Sequence, residues 1–342
     1  MITKSDGRRA APSLAFSRKN VDAQLKDCLE SVSYTDVASG GSDTLDIKLQ
    51  DIDGRWLNEW YPKKGNTVEG ELLFHNWDGD GRTQSLRCGT FTLDDIRTEM
   101  RPKTMTLSCV SAPAKEGFRV RERSKTWEGV TIKEIATEIC GRYGLGLEYS
   151  AAGVWVDKLE QSEADSSFLM SLCDSYGFGM KIYRGRIVIY GIIRIEKKEA
   201  ICTLSTSDFE SASFTDGIYG TYTGARVSYR PPDADKDISV YVGLMDEKAK
   251  GSRVLKVNES CSSEAEARRK GAAAVNKSNM KDTTVSATLF PDTRICAGVC
   301  IQLDDSFGKL SGKYFVDQVK WELGSSTKQT IEAHKVKKKV KP

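Results

Sequence analysis

Asp43-Thr44-Leu45-Asp46-Ile47-Lys48-Leu49 alternates polar and apolar residues along its whole length. Successive side chains of a strand point to opposite faces, so Leu45, Ile47 and Leu49 share one face and Thr44, Asp46 and Lys48 share the other. The same reading extends outward. Val68 to Phe74 and Leu86 to Leu93 read as two further strands, and the turn formers Asn76-Trp77-Asp78-Gly79-Asp80-Gly81-Arg82 separate them. Met105, Leu107 and Cys109 alternate again. Residues 30–125 are therefore expected to form a small antiparallel barrel or sandwich, not a parallel sheet with crossover helices.

The period changes after residue 126. Thr131-Ile132-Lys133-Glu134 is a capping-box pattern, and Ile132, Ile135, Ala136, Ile139, Cys140 and Tyr143 follow at helical spacing before Gly144. A strand from Leu145 to Tyr149 comes next. A second helix is expected over about 163–176, with Phe168, Leu169, Leu172, Cys173 and Tyr176 on one side and Gly177 as its stop. Strands from Met180 to Tyr183 and from Ile187 to Tyr190 follow. Shifted by 33 residues, Ile135 lands on Phe168, Ile139 on Leu172, Tyr143 on Tyr176 and Gly144 on Gly177. An internal duplication and a shared helix-stop chemistry both account for this match.

From residue 200 the β pattern returns. Ala225–Tyr229, Ile238–Val242, Arg253–Val257, Tyr314–Leu323 and Gln329–Ala333 read as strands, with alternation also at Val285, Ala287, Leu289 and at Val299, Ile301, Leu303. A helix opens at Ser263-Glu264-Ala265-Glu266 and runs to about Lys277. The expected fold class is mainly β with an α+β insertion: two small β-barrel domains, at 1–125 and 201–334, flank a compact helix-strand domain at 126–200. The basic stretch 335–342 has no apolar period and is expected to be a solvated, disordered tail.

A chain of 342 residues is long enough to bury a substantial core. With 39% hydrophobic and 29% charged residues it has an ordinary globular balance, and its net charge of +3 is too small to argue for nucleic acid as main partner. No apolar run reaches the roughly 18 residues of a membrane span, and the first residues lack the apolar core of a signal peptide. The nine cysteines (28, 88, 109, 140, 173, 202, 261, 296 and 300) contain no C-x-x-C pair. They are expected to be reduced, small hydrophobic side chains rather than zinc ligands.

Candidate chemistry is sparse. Asp78 and Asp80 begin a calcium-loop pattern that Arg82 and Thr83 break, so a hairpin loop is expected. Asp94-Asp95 and Asp304-Asp305 are adjacent pairs whose carboxylates point apart on a strand. His75 and His334 are the only histidines, and both are expected at the surface. Trp56, Trp60 and Tyr61 serve equally well as core or as partner interface. No P-loop, G-x-S-x-G or H-E-x-x-H occurs. The expectation is a non-enzymatic chain with no catalytic, metal or cofactor site.

Gln161-x-Glu163-x-Asp165-x-x-Phe168-Leu169-x-x-Leu172, then Tyr176-Gly177 and Gly185-x-Ile187, resembles the inserted domain of the late-control D family of phage tail proteins. Thr131 to Ala136, with Tyr143-Gly144-Leu145, resembles the first helix of that domain. Tyr34-Thr35-Asp36, the Asp43–Leu49 strand, Asp53-Gly54-x-Trp56 and Pro62-x-Lys64-Gly65 are similar to the family's first barrel. Gly312-x-Tyr314-x-Val316-x-x-Val319 is similar to its last. The likeness covers about residues 30–335. It implies a baseplate hub of a contractile phage tail, bacteriocin or related injection system. Such a hub is a homotrimer whose two barrels per subunit make six quasi-equivalent units, joining a hexameric tail tube to a trimeric spike.

The implied partners are the chain itself, tube, spike and baseplate wedge proteins, with the tape-measure protein a further candidate; neither membrane nor specific nucleic acid is implied. Assembly would occur in the bacterial cytoplasm before incorporation into the particle. Spike and hydrolase functions would sit on separate chains, since no spike β-helix or lysozyme domain follows. The alternative is a peptidoglycan-binding, LysM-like module, suggested by Thr131 to Tyr149, or a cell-wall hydrolase component.

Overall fold

A computed structural model describes residues 7–77, 79, 81–112, 117–230 and 237–342. Asp78 and Asp80 of the broken calcium pattern, and the Pro231-Pro232 loop opening, lie outside the described residues. The first region contributes β1 (Arg9–Phe16), β2 (Lys19–Asn20), α1 (Asp22–Leu25), β3 (Leu29–Val37), β4 (Thr44–Gln50), β5 (Thr67–His75), β6 (Thr83–Met100) and β7 (Lys103–Val110). The middle contributes β8 (Lys125–Thr131), α2 (Ile132–Tyr143), β9 (Gly146–Ser150), β10 (Trp155–Gln161), α3 (Asp165–Ser175), β11 (Phe178–Tyr183), β12 (Arg186–Gly191) and α4 (Ile192–Glu196). The remainder comprises β13 (Thr203–Leu204), β14 (Phe209–Asp216), β15 (Gly224–Tyr229), β16 (Ile238–Gly243), β17 (Val254–Val257), α5 (Glu264–Asn279), β18 (Thr283–Leu289), β19 (Cys300–Leu303), β20 (Gly312–Leu323) and β21 (Thr327–Lys335).

The fold is mainly β with an α+β middle, as the patterning requires. The alternation that opens the sequence does what it predicts: Leu45, Ile47 and Leu49 are fully buried. The two β regions are continuous. One sheet runs β14-β18-β21-β20-β3-β4-β7-β6-β5-β1-β2, and β13 and β19 branch from β20. Strand β20 pairs with β21 on one edge and with β3 on the other, so Trp321 lies opposite both Gln329 and Tyr34. A strand bonded on both edges and covered on its faces buries long stretches of side chain, and Tyr314, Val316, Val319 and Trp321 are all at 0% exposure. Their apolar cluster also holds Leu45, Ile47 and Leu107 of the first region and Ile301 and Ile331 of the last. Trp321 and Phe74 meet with ring centroids 5.6 Å apart.

The middle is built from two strand-helix-strand units, β8-α2-β9 and β10-α3-β11. Their first strands pair antiparallel, Thr126 opposite Glu160 and Trp127 opposite Leu159. The 33-residue shift maps each of these pairs onto the other, so the units are related by a local two-fold. Their last strands flank β12, β9 in parallel and β11 antiparallel. Both helices give way to a left-handed glycine, Gly144 (φ 65°) and Gly177 (φ 72°), a conformation that a side chain disfavours. Only α2 has the side-chain cap; Thr131 and Glu134 satisfy each other's backbone N–H there.

Strands β15 to β17 form a separate three-stranded sheet under α5, with a small core of Ala225, Val227, Val240, Val242, Ala267 and Val275. These elements sit within the second β region of the sequence yet lie outside the large sheet. A second difference concerns residues 335–342, which are docked rather than solvated. Val340 is fully buried and exchanges two hydrogen bonds with the Asn276 side chain, at 2.8 and 2.9 Å. Lys337 pairs with Asp282 at 2.9 Å, and Lys339 with Glu196 at 2.8 Å. A buried carboxylate, a half-buried one and an amide on other elements hold the segment down, and its own composition gives no sign of them.

Because the core spans both β regions, Trp321→Ala is expected to lower unfolding free energy by about 3–5 kcal/mol. Amide exchange of β4 and β21 should accelerate together in that variant. Acceleration confined to β21 would mean that the regions are independently stable.

Candidate functional site

Three charged clusters organise the chain, two of them where chain regions meet and one inside the middle. In the first, β11 brings Lys181 to Asp36 at the end of β3 and Asp43 just before β4. The Lys181 ammonium donates to Asp36 and lies 3.2 Å from Asp43. Asp43 also accepts from the Val37 N–H at 3.0 Å, and Asp36 from the Ala297 N–H at 2.9 Å. One lysine thus ties the middle to the first β region, and its carboxylate partner ties both to the last. Tyr190 Oη donating to the Ala38 carbonyl at 2.7 Å, and Ser111 Oγ to the Ile182 carbonyl at 2.9 Å, reinforce the junction. Burial, opposed by Lys181 and helped by Asp36, pushes the Asp43 carboxyl up to about 7.

A second cluster lies inside the middle. Asp165, at the first position of α3, is wholly buried and accepts from Arg123 Nε (2.9 Å), Arg142 Nη1 (2.9 and 3.1 Å), Tyr143 Oη (2.7 Å) and Gln161 Nε2 (2.7 Å). Burial alone would raise this carboxyl, but the bonds from Gln161, Tyr143 and Arg142 outweigh it and hold it below the usual range. This explains the spacing of Gln161 and Asp165 in the sequence. The pair closes the second unit onto α2 of the first, and Gln161 Oε1 also accepts from the indole N–H of Trp127 at 3.2 Å.

The third cluster corrects the expectation of a surface His334. Its ring is 2% exposed, tilted against Phe315, with Nδ1 2.8 Å from Asp317 and Nε2 2.9 Å from Glu196. Burial lowers its basicity, but the two carboxylates more than reverse that and raise it above the ordinary histidine value. Position 334 lies next to a basic run, which mimics a solvated end. The strand β21 nevertheless turns this side chain inward, toward α4. His75, by contrast, ends β5 half-exposed, with Nδ1 2.9 Å from Thr83 Oγ1.

These clusters tie separate elements together. Both ring nitrogens of His334 are engaged by carboxylates, so neither is free to take a proton from a substrate. Among the described residues no three His, Cys, Asp or Glu side chains are grouped to hold a metal ion. All nine cysteines are free thiols, and burial pushes Cys109 and Cys173 up to about 12 and Cys296 up to about 11, leaving little thiolate at neutral pH. Cys296 and Cys300 bond to different carbonyls, those of Thr293 and of Ile195 and Glu196.

The remaining sequence candidates separate by location. Trp56 is buried and stacks edge-on with Trp60 at 5.7 Å, while Tyr61 is 51% exposed. Asp51 organises that loop by accepting from the N–H groups of Trp56 and Leu57. Asp94 and Asp95 make surface pairs with Arg119 and Lys64, and Asp304 caps a short helical turn through the Ser306 N–H. The exposed apolar side chains that suit an interface were not singled out by periodicity: Tyr219, Ile218 and Phe290 are 98%, 73% and 66% exposed. They lie just beyond β14 and β18. Strand β14 pairs only with β18 and leaves its other edge open, a natural template for a further strand.

Two consequences are measurable. Between about pH 4 and 7 the folded chain retains the Asp43 proton that the unfolded chain has lost, so this residue makes stability fall as pH rises. Asp43→Asn should flatten that part of a plot of urea midpoint against pH; an unchanged slope would exclude the junction as its source. Asp165→Ala leaves two guanidinium groups without their buried carboxylate and should cost about 3–5 kcal/mol. The loss is read by chemical denaturation followed by far-UV circular dichroism, and a change below about 1 kcal/mol would contradict the buried network.

Comparison with known proteins agrees with the resemblance read from the sequence. No family model matches the chain. It is 27% identical over 226 residues to the probable baseplate hub protein of Escherichia phage P2, covering 63% of this chain and 55% of that one. The corresponding protein of Escherichia phage 186 is 27% identical over 237 residues, covering 67% and 58%. The matched part is thus little more than half of either relative. The 43 kDa tail protein of prophage MuSo2 from Shewanella oneidensis superposes with a TM-score of 0.70 at 14% identity, covering 96% of this chain and 98% of that one. The chain is similar in sequence to phage baseplate hub proteins, and along nearly its whole length it has the fold of a phage tail protein.

Proposed function

We propose that this chain is a structural baseplate hub of a contractile tail or tail-like injection particle. The observation that carries the proposal is the agreement of two independent likenesses, a sequence match to hub proteins and a fold match to a tail protein across 96% of the chain. In this reading three copies close a ring with pseudo-sixfold symmetry, the first and last β regions acting as quasi-equivalent lobes and the middle as an insertion. Head-to-tail contacts would use the open edge of β14 and the exposed apolar residues beside it. One face of the ring meets the hexameric tube and the other the trimeric spike, with wedge proteins outside. Assembly takes place in the bacterial cytoplasm, before the hub enters the particle.

A scaffold that transmits force needs domains that do not move independently. Two buried charge clusters supply that rigidity by crossing between regions, at Lys181 and at His334, and the third, at Asp165, stiffens the middle itself. A wall-binding or hydrolytic role has no support from the relatives, which are named as hub and tail proteins.

Native mass spectrometry of the purified chain, alone and mixed with a trimeric tail spike, tests the proposal. A trimer, or a three-to-three complex with the spike, is expected. A chain that stays monomeric in both samples would remove the ring.

A further inference from the structure

A cavity of about 680 Å³ lies beside the His334 cluster, where α5, the β11–β12 hairpin, α4 and the segment 339–342 come together. Its size falls within the range of about 300–1,000 Å³ typical of ligand sites. One wall is a stripe of α5 in which Ala272 and Ala273 leave space and Arg269 stands at the rim. Opposite lie Phe178 and Tyr190, both buried and held from behind, so the surface is preformed and apolar. α5 approaches closely at Gly177, where an added Cβ would come 3.4 Å from that of Ala273.

The charges around this cleft do not balance. The side-chain carboxylates on or behind its rim already have cations: Asp174 pairs with Lys277 at 2.7 Å, Asp317 with His334 at 2.8 Å, and Glu196 with His334 and Lys339. Arg194, Lys197 and Arg269 also line the cleft, and among the described residues none has a carboxylate within ion-pair distance. Arg194 is engaged only through one nitrogen, which donates to the Ser150 carbonyl at 3.0 Å. An apolar floor ringed by three uncommitted cations favours an occupant that is apolar in the middle and anionic at its edges. Arg269 stands on α5, and Arg194 and Lys197 stand at α4 across an open cleft, an arrangement that suits a chain lying across it better than a compact headgroup.

We propose that this cleft docks a short segment of a partner protein in which apolar side chains are flanked by aspartate or glutamate. The apolar residues rest on Ala272, Ala273 and Tyr190, and the carboxylates reach Arg269 on one side and Arg194 and Lys197 on the other. The assignment goes beyond the hub reading and stands or falls separately from it.

A random dodecapeptide library panned on the folded full-length chain, with counter-selection on an Ala273→Trp variant that fills the floor, tests the proposal. Recovered peptides should carry acidic residues beside apolar ones. In fluorescence anisotropy a synthetic copy should bind at least tenfold more weakly to Ala273→Trp and to the double variant Lys197→Glu, Arg269→Glu. The double variant changes only rim positions, so it decides the matter if the tryptophan disturbs folding, which a melting curve reveals. An empty selection overturns the proposal, as do peptides without carboxylates or equal binding to the double variant. A wild-type oligomer that dissociates on Ala273→Trp would assign the cleft to a second copy of the chain, and also overturns it.

Discussion

Strand β20 is bonded along one edge to β21 and along the other to β3. That double pairing is what the rest of the molecule depends on. It places Trp321 between residues nearly 300 positions apart in the chain and lets two β regions share one apolar interior. Neither region need close its own barrel completely, because each supplies the other's missing neighbour. The entropic cost of closing so long a loop grows only slowly with its length, so a fold can hold its centre together through distant strands.

Around this seam, buried charges act beside a small apolar cluster of Ala38, Cys300 and Phe315 to fix how the other units sit. Lys181 bridges Asp36 and Asp43, and His334 bridges Asp317 and Glu196. Buried ion pairs add little net stability compared with well-packed apolar side chains, but breaking one is costly. Their contribution here is position: a shifted domain would strand a charge. The same logic acts within the middle, where Asp165 locks two related strand-helix-strand units face to face.

This arrangement accounts for where the buried charges of the described residues go. Asp36 and Asp43 are engaged by Lys181 and backbone N–H groups, Asp165 by arginine, tyrosine and glutamine, and Glu196 by His334 and Lys339. What remains available are edges and surfaces: the outer edge of β14, the exposed side chains beside it and the cleft under α5. A structure so disposed suits assembly, where it presents fixed surfaces in fixed relation, and this coincides with the names of the phage proteins it matches.

Local pattern was enough to determine much of this. Period-two stretches such as Asp43–Leu49 became strands with the expected residues inside, and Thr131 with Glu134 capped its helix as read. Motif order gave the likeness to tail proteins, and the 33-residue shift marked the two units later seen around their local two-fold. Strand β14 escaped because Phe209 to Asp216 carries too few apolar residues to show a period; its partner β18 makes it a strand. The β3–β20 seam, the burial of His334 and the docking of Val340 were decided by the tertiary structure alone. The physical reason is the same for all three. Whether a histidine at the start of a basic run is buried, or a lysine-rich segment is held, depends on carboxylates and amides that lie from 17 to 138 positions away in the chain and meet it only once the fold has formed.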